Sequence, residues 1–102
     1  MMDKILEEVK KERLRQNKKF GKQDHTPIEW IAILSEEVGE ASREAVDHHF
    51  EYGLEELKLL GRTIVMDDIQ DNRMRRYRKE LIQVAAVAVQ MVECLDRNEA
   101  GI

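Results

Sequence analysis

A chain of 102 residues provides one domain, which excludes an enzyme whose cleft lies between two lobes. Hydrophobic residues make up 42% of the chain, which is too apolar for a disordered protein. Five Gly and one Pro are too few turn residues for a sandwich of many short strands. The apolar residues are mostly aliphatic, and we therefore expect a single all-α domain over residues 1–102.

The single cysteine, Cys94, excludes an internal disulfide and a cysteine-based zinc site. The first four residues lead into a charged helix and lack the apolar core of a signal peptide. The longest apolar stretch, residues 81–95, is interrupted by polar residues and is too short to span a bilayer. These features predict a cytoplasmic protein that does not enter a membrane.

The formal net charge is −4, from 17 basic and 21 acidic residues. The basic residues are nevertheless clustered, with seven in residues 10–22 and five in residues 73–79. Each cluster is typical of a solvated helix face, or alternatively of a site for a polyanion. Because the whole chain is acidic, such a polyanion is expected to be smaller than a long nucleic acid.

Two helices are predicted in the first half of the chain. The first covers about residues 3–19 and ends before Gly21, since Gly is common just past a helix C-terminus. The second begins with Thr26 as its capping residue, has Pro at its first position, and carries Glu29 where a capping box requires an acid. We expect this helix to continue to about Tyr52.

The second half is predicted to contain a short helix over residues 54–61 and a long last helix. Residues 62–72 include a β-branched run and three aspartates, and we expect them to be irregular. The last helix is expected from residue 71 or 72 to about Arg97, with Gly101 beyond it.

Nearly every position from Leu81 to Leu95 is apolar, which leaves no stripe for solvent on the last helix. A helix that is apolar all round is buried all round. Since a chain this short has too few other helices to cover it, we expect a homodimer or a dimer of dimers.

Four residues carry oxygen atoms in places where an apolar side chain would be expected. At about 100° per residue, Glu37 projects into the apolar face of the second helix, and Glu40 lies at its edge. Glu80 and Gln83 are neighbours at the start of the apolar run. A single Glu-x-x-Glu is most often a solvated pair, but a buried carboxylate needs a cation or a proton. The two pairs therefore predict a site for Mg²⁺ or Mn²⁺ between two helices.

The segments that carry these residues resemble those of a known family, the MazG-like all-α nucleoside triphosphate pyrophosphohydrolases. The similarity is to the short, single-domain type found in phages and bacteria, and it covers about residues 10–52 and 78–97. The segments concerned are ERLRQ (12–16), KFG (19–21), WIAIL (30–34), EEVGE (36–40) and ELIQVAAVAV (80–89).

The resemblance implies a helical bundle, completed by oligomerisation, that uses Mg²⁺ to hydrolyse a nucleoside triphosphate to the monophosphate and pyrophosphate. It implies that Glu37, Glu40 and Glu80 are metal ligands, with Gln83 where better-studied members have Asp. Glu36 and Glu37 become the candidate catalytic residues, Glu36 as an extra ligand or a water-orienting base.

Other residues are candidates for binding the substrate. Arg13, Gln16 and Lys19 follow one side of the first helix at intervals of three and can meet phosphates, and Arg76 and Lys79 are the second choice. Two aromatic residues, Trp30 and Phe20, can stack on a base, although we expect both to pack in the core. Asp67, Asp68 and Asp71 can replace the missing carboxylate, but loop and cap roles are favoured.

Two further functions are compatible with these residues. A helical oligomer that binds a nucleotide or a protein partner without turnover is the alternative that Gln83 favours. A nucleic-acid-associated factor is disfavoured by the acidic net charge.

Overall fold

The computed structural model describes residues 1–99, which form four helices. They are α1 (Met2–Phe20), α2 (Pro27–His49), α3 (Glu55–Leu59) and α4 (Thr63–Glu99). Because these residues include no strand, the predicted all-α class is confirmed. No helix in this part of the chain has both the length and the hydropathy needed to cross a bilayer. The expected position of Gly101 beyond the last helix lies outside the described residues.

The ends of α1 and the start of α2 agree with the prediction. Gly21 follows α1 with φ 70°, and its N–H donates to the carbonyl of Asn17 at 2.8 Å. The capping box of α2 is complete, since the Thr26 N–H donates to Glu29 Oε1 at 2.9 Å and the Glu29 N–H donates to Thr26 Oγ1 at 3.3 Å. Two backbone groups that helix formation leaves unpaired are thereby satisfied.

The α2 helix ends at His49, about three residues before the predicted end at Tyr52, because the chain already turns at Phe50 and not first at Gly53. Glu51 has φ 52° and Gly53 has φ 78°, so the turn uses two left-handed residues. The short helix α3 lies within the predicted range 54–61.

The expectation that residues 62–72 are irregular is wrong, since α4 begins at Thr63 and is 37 residues long. Gln70 of this segment and Arg73, which directly follows it, bind carbonyl groups at the end of α2. Gln70 Nε2 donates to the His48 carbonyl at 2.8 Å, and Arg73 Nη1 donates to the Asp47 carbonyl at 3.1 Å. These contacts require helical spacing, and such tertiary contacts outweigh the weak helix propensity of a β-branched run.

The α1 and α2 helices both pack against α4, which spans the molecule. The α2 helix runs antiparallel to α4, with Glu44 paired to Arg76 and the His48 carbonyl bound by Gln70. The α1 helix runs in the same direction as α4. Glu8, in the first half of α1, pairs with Arg78 of α4. The middle of α4 is therefore covered on two sides only.

The core of this arrangement is thin. Seven apolar side chains of the described residues are buried, namely Val9, Trp30, Ala41, Leu54, Ala86, Val87 and Cys94. The uncovered side of α4 leaves Leu81 43%, Val92 57% and Leu95 46% exposed, so a single chain does not bury the apolar run all round. The radius of gyration is 17.7 Å, whereas a compact chain of this length would have about 13 Å.

Candidate functional site

Three carboxylates converge between α2 and α4. Glu37 and Glu40 lie one helical turn apart on α2, and the antiparallel packing brings Glu80 of α4 opposite them. One carboxylate oxygen from each residue lies within 4.8 Å of the other two. The predicted pairing of these two helix segments is therefore present in the fold.

The surroundings of this carboxylate cluster oppose ionisation. Burial, followed by repulsion from Glu40 and Glu36, raises the pKa of Glu37 above its usual value. Burial, followed by a hydrogen bond shared with Glu40 and repulsion from Glu40 and Glu37, raises the pKa of Glu80 to about 7. Near neutral pH, the cluster therefore holds a proton or needs a cation.

No side-chain cation in the described part of the chain forms an ion pair with these three carboxylates. Glu37 Oε2 and Glu80 Oε2 are buried and have no hydrogen-bond partner. Buried carboxylate oxygens without a partner are costly, and hard oxygen donors suit Mg²⁺ and Mn²⁺. Oxygens on opposite sides of a Mg²⁺ ion are about 4.2 Å apart, which is close to the spread of the cluster. The residues present therefore fit a divalent cation.

A cavity of about 310 Å³ adjoins the cluster and is enclosed by α1, α2 and α4. Glu37 and Gln83 form part of its wall. Four of the predicted substrate-binding residues also line it, namely Gln16, Lys19, Phe20 and Trp30. The volume is at the lower end of the range for small-molecule sites.

The remaining predicted residues lie elsewhere. Arg13 is not among the residues that line this cavity, because its guanidinium is turned to Glu93 of α4, with Nε 2.5 Å from Oε1. Arg76 Nε donates to Glu44 Oε1 at 2.9 Å, one turn beyond Glu40. Glu36 is exposed on α2 beside Glu37. The three aspartates named above as possible replacements are on α4 and outside the carboxylate cluster.

Lys79 lines a second cavity, of about 330 Å³, between α1 and α4. Five basic side chains line this second cavity, and carboxylates neutralise two of them. Arg78 pairs with Glu8, and Arg15 pairs with Glu12. The others that line it, Lys11, Arg75 and Lys79, form no ion pair with the described residues. Arg15 borders both cavities, so a cationic surface adjoins the cavity beside the cluster.

Sequence reasoning missed several residues of the first cavity, notably Arg15, Gln23 and Gln90. A signal for two of the glutamines was present in their spacing. Gln83 and Gln90 are seven residues apart on α4, and residues seven apart share one helix face. Gln23 lies in the loop between α1 and α2, where helix period gives no such signal. Trp30 is 3% exposed, as expected of a core residue, whereas Phe20 is 56% exposed and does not pack in the core.

In the absence of metal, we expect the protein to lose stability as the pH rises from about 4.5 to about 7. The unfolded chain ionises Glu80 near its ordinary pKa of 4.5, whereas the folded chain keeps the proton up to about 7. The folded state binds more protons in this window, so its stability is complete below the unfolded pKa and falls as the pH rises. The shift is worth about 3 kcal/mol in full, and solvent screening reduces this to about 1–2 kcal/mol.

The measurement is thermal unfolding in EDTA between pH 5 and pH 8, with Glu80→Gln as the comparison. The wild type should lose about 5–10 °C over this range, and the variant should lose less. Mg²⁺ at pH 8 should restore the wild-type melting temperature. Equal pH profiles for the two proteins would contradict the assigned environment of Glu80.

Comparison of the chain with protein-family models, with curated proteins and with solved structures finds no match. The structure itself defines the class: an all-α protein with a partly buried carboxylate cluster beside a cavity.

Proposed function

We propose that this protein hydrolyses a nucleoside triphosphate to the nucleoside monophosphate and pyrophosphate, with Mg²⁺ or Mn²⁺ as its cofactor. The observation that carries the proposal is the cluster of Glu37, Glu40 and Glu80. Two of its buried oxygens lack any partner, which is a costly arrangement unless a cation binds there. The sequence resemblance to MazG-like pyrophosphohydrolases supplies the reaction class.

In this proposal, Glu37, Glu40 and Glu80 hold the ion, and Gln83 adds a neutral amide oxygen. The bound ion would activate a water molecule and neutralise phosphate charge. The water oxygen would attack the α-phosphorus, the bond to the bridging oxygen would break, and pyrophosphate would leave. Exposed Glu36, beside Glu37, is the candidate base that orients the water and accepts its proton.

The cations around the two cavities would neutralise the triphosphate. Lys19 and Arg15 line the cavity beside the cluster, and Lys79 lines the neighbouring cationic cavity. Phosphoryl chemistry needs positioning and charge neutralisation more than covalent participation by the protein. Arg13 and Arg76 are engaged with Glu93 and Glu44, so we assign them no direct phosphate contact.

Self-association is part of the same proposal, as a homodimer or a dimer of dimers. We define the apolar face as Ile31 and Val38 on α2 together with Leu81, Ala88, Val92 and Leu95 on α4. The accessible surface of the chain is 7692 Å², against about 6,000 Å² expected of a compact monomer of this mass. The excess matches the area that one chain buries in an obligate homodimer. A second copy seated on the apolar face would cover it.

The function is tested with a panel of nucleoside triphosphates in the presence of Mg²⁺ or Mn²⁺. We expect equal amounts of nucleoside monophosphate and pyrophosphate from at least one substrate, and none in EDTA. Release of inorganic phosphate and nucleoside diphosphate instead would contradict attack at the α-phosphorus. If no substrate is turned over, the alternative function remains, namely a helical oligomer that binds a nucleotide or a protein partner.

A further inference from the structure

The cavity beside the carboxylate cluster is lined by an unusual number of amide side chains. The sequence contains five glutamines, and four of them, Gln16, Gln23, Gln83 and Gln90, line this one cavity. The fifth, Gln70, binds the end of α2 and lies outside it. All three helices that enclose the cavity are otherwise rich in charged or apolar residues, so the amides are concentrated at one place.

Two of these amides are buried. Gln16 is 8% exposed and Gln90 is 4% exposed, although glutamine is seldom buried in proteins. Gln90 Nε2 donates to Gln23 Oε1 at 3.3 Å, so these two glutamines partly satisfy each other. Gln16 Oε1, in contrast, is buried without any hydrogen-bond partner. Leaving a buried acceptor unpaired costs about 1–3 kcal/mol, so a donor from a ligand would relieve a real penalty.

Two aromatic side chains also line the cavity. Trp30 lines it and is buried, and its indole Nε1 likewise lacks a partner. Phe20 lines it from a more exposed position, with Lys19 Nζ 5.0 Å from its ring centroid. Aromatic rings beside amide donors and acceptors are the combination with which proteins bind a nucleobase, by stacking and by hydrogen bonds to its edge.

We propose that this glutamine-lined cavity binds the nucleobase of the substrate, and that Gln16 selects bases that carry an exocyclic amino group. An amino group brings two N–H donors to a cavity whose amide oxygens include an unpaired one. A glutamine amide also pairs in bidentate fashion with the amino group and adjacent ring nitrogen of such a base. The inference rests on the proposed function for the identity of the ligand as a nucleotide.

The test uses nucleosides, which lack phosphates, and the whole protein in EDTA, so that neither the metal nor hydrolysis contributes. Trp30 is the sole tryptophan of the chain, and it lines both this cavity and a larger one of about 600 Å³ beside the end of α4. Its fluorescence reports binding at either cavity, and the Gln16→Met variant assigns the signal to this one. Adenosine and cytidine are titrated against the analogues that lack the amino group, purine riboside and pyrimidin-2-one riboside. We expect the amino nucleosides to bind at least ~10-fold more tightly, because the analogues leave Gln16 Oε1 unpaired.

Gln16→Met removes the amide at similar length and should abolish the preference for amino nucleosides. Gln70→Met is the matched control outside the cavity and should retain it. The inference is overturned if wild-type protein binds no nucleoside, binds both classes equally, or keeps its preference in Gln16→Met. The wild-type comparison needs no variant, so it holds even if Gln16→Met fails to fold.

The outcome is separable from that of the hydrolysis assay. Hydrolysis of triphosphates without nucleoside binding would overturn the base site and leave the proposed function intact. Selective nucleoside binding without hydrolysis would support the base site and overturn the proposed function.

Discussion

Glu37→Ala is expected to lower kcat/KM for nucleoside triphosphate hydrolysis by about 100–1,000-fold, the loss typical when one group that stabilises transition-state charge is removed. Glu37 belongs both to the carboxylate cluster and to the wall of the adjoining cavity. In the proposed site, its removal would take one negative charge from the cation and would shift that ion relative to the substrate phosphates. The measurement is pyrophosphate release at saturating Mg²⁺.

The matched control for this prediction is Glu7→Ala, which removes an exposed carboxylate from α1 and should leave kcat/KM unchanged. Without metal, Glu37→Ala is expected to melt no lower than the wild type above pH 7, since the substitution relieves repulsion within the cluster. Loss of activity together with loss of folding would indicate a structural role. Wild-type turnover by the variant would remove Glu37 from the site.

Val92→Asp is expected to convert the proposed oligomer to monomers and to raise its dissociation constant at least ~100-fold. Val92 is 57% exposed in the single chain, so an aspartate there is tolerated in a monomer. In a symmetric dimer through the apolar face, the same change would bury two carboxylates without cations, at a cost of several kcal/mol. Since each 1.4 kcal/mol is about tenfold in affinity, the effect on assembly is large.

Sedimentation or light scattering at micromolar concentration measures this effect, with circular dichroism as the check on helix content. Ile64→Asp is the control, because Ile64 is 78% exposed on the same helix but lies outside the apolar face. It should assemble as the wild type does. A monomeric wild type, or an unchanged assembly in Val92→Asp, would contradict a second copy on this face.

The sequence was sufficient where the determining interactions are local. Thr26 and Glu29 satisfy each other across three residues, and Gly21 ends α1 with a positive φ that favours glycine. Helical periodicity likewise placed Glu37 and Glu40 on one side of α2. The convergence with Glu80 needed one further assumption, the antiparallel packing of α2 and α4, and the fold satisfies it.

The start of α4 could not be inferred in this way. Residues 62–72 have weak helix propensity, and they are helical because Gln70 and Arg73 bind carbonyls at the end of α2, more than twenty residues earlier. The amide set of the cavity is a second case. No single glutamine stands out in the sequence, and only the packing of the three helices and the α1–α2 loop brings the four side chains to one cavity.

The sequence alone predicts an all-α chain with two pairs of oxygen-bearing residues on apolar helix faces. It can do so because helix period and capping depend on residues only a few positions apart. The tertiary structure decided which partners each buried group acquires. It gave Arg13 and Arg76 carboxylate partners in other helices, and it left Glu37, Glu80 and Gln16 with buried oxygens that have none. Burial and pairing depend on residues far apart in the chain, and only packing brings those together.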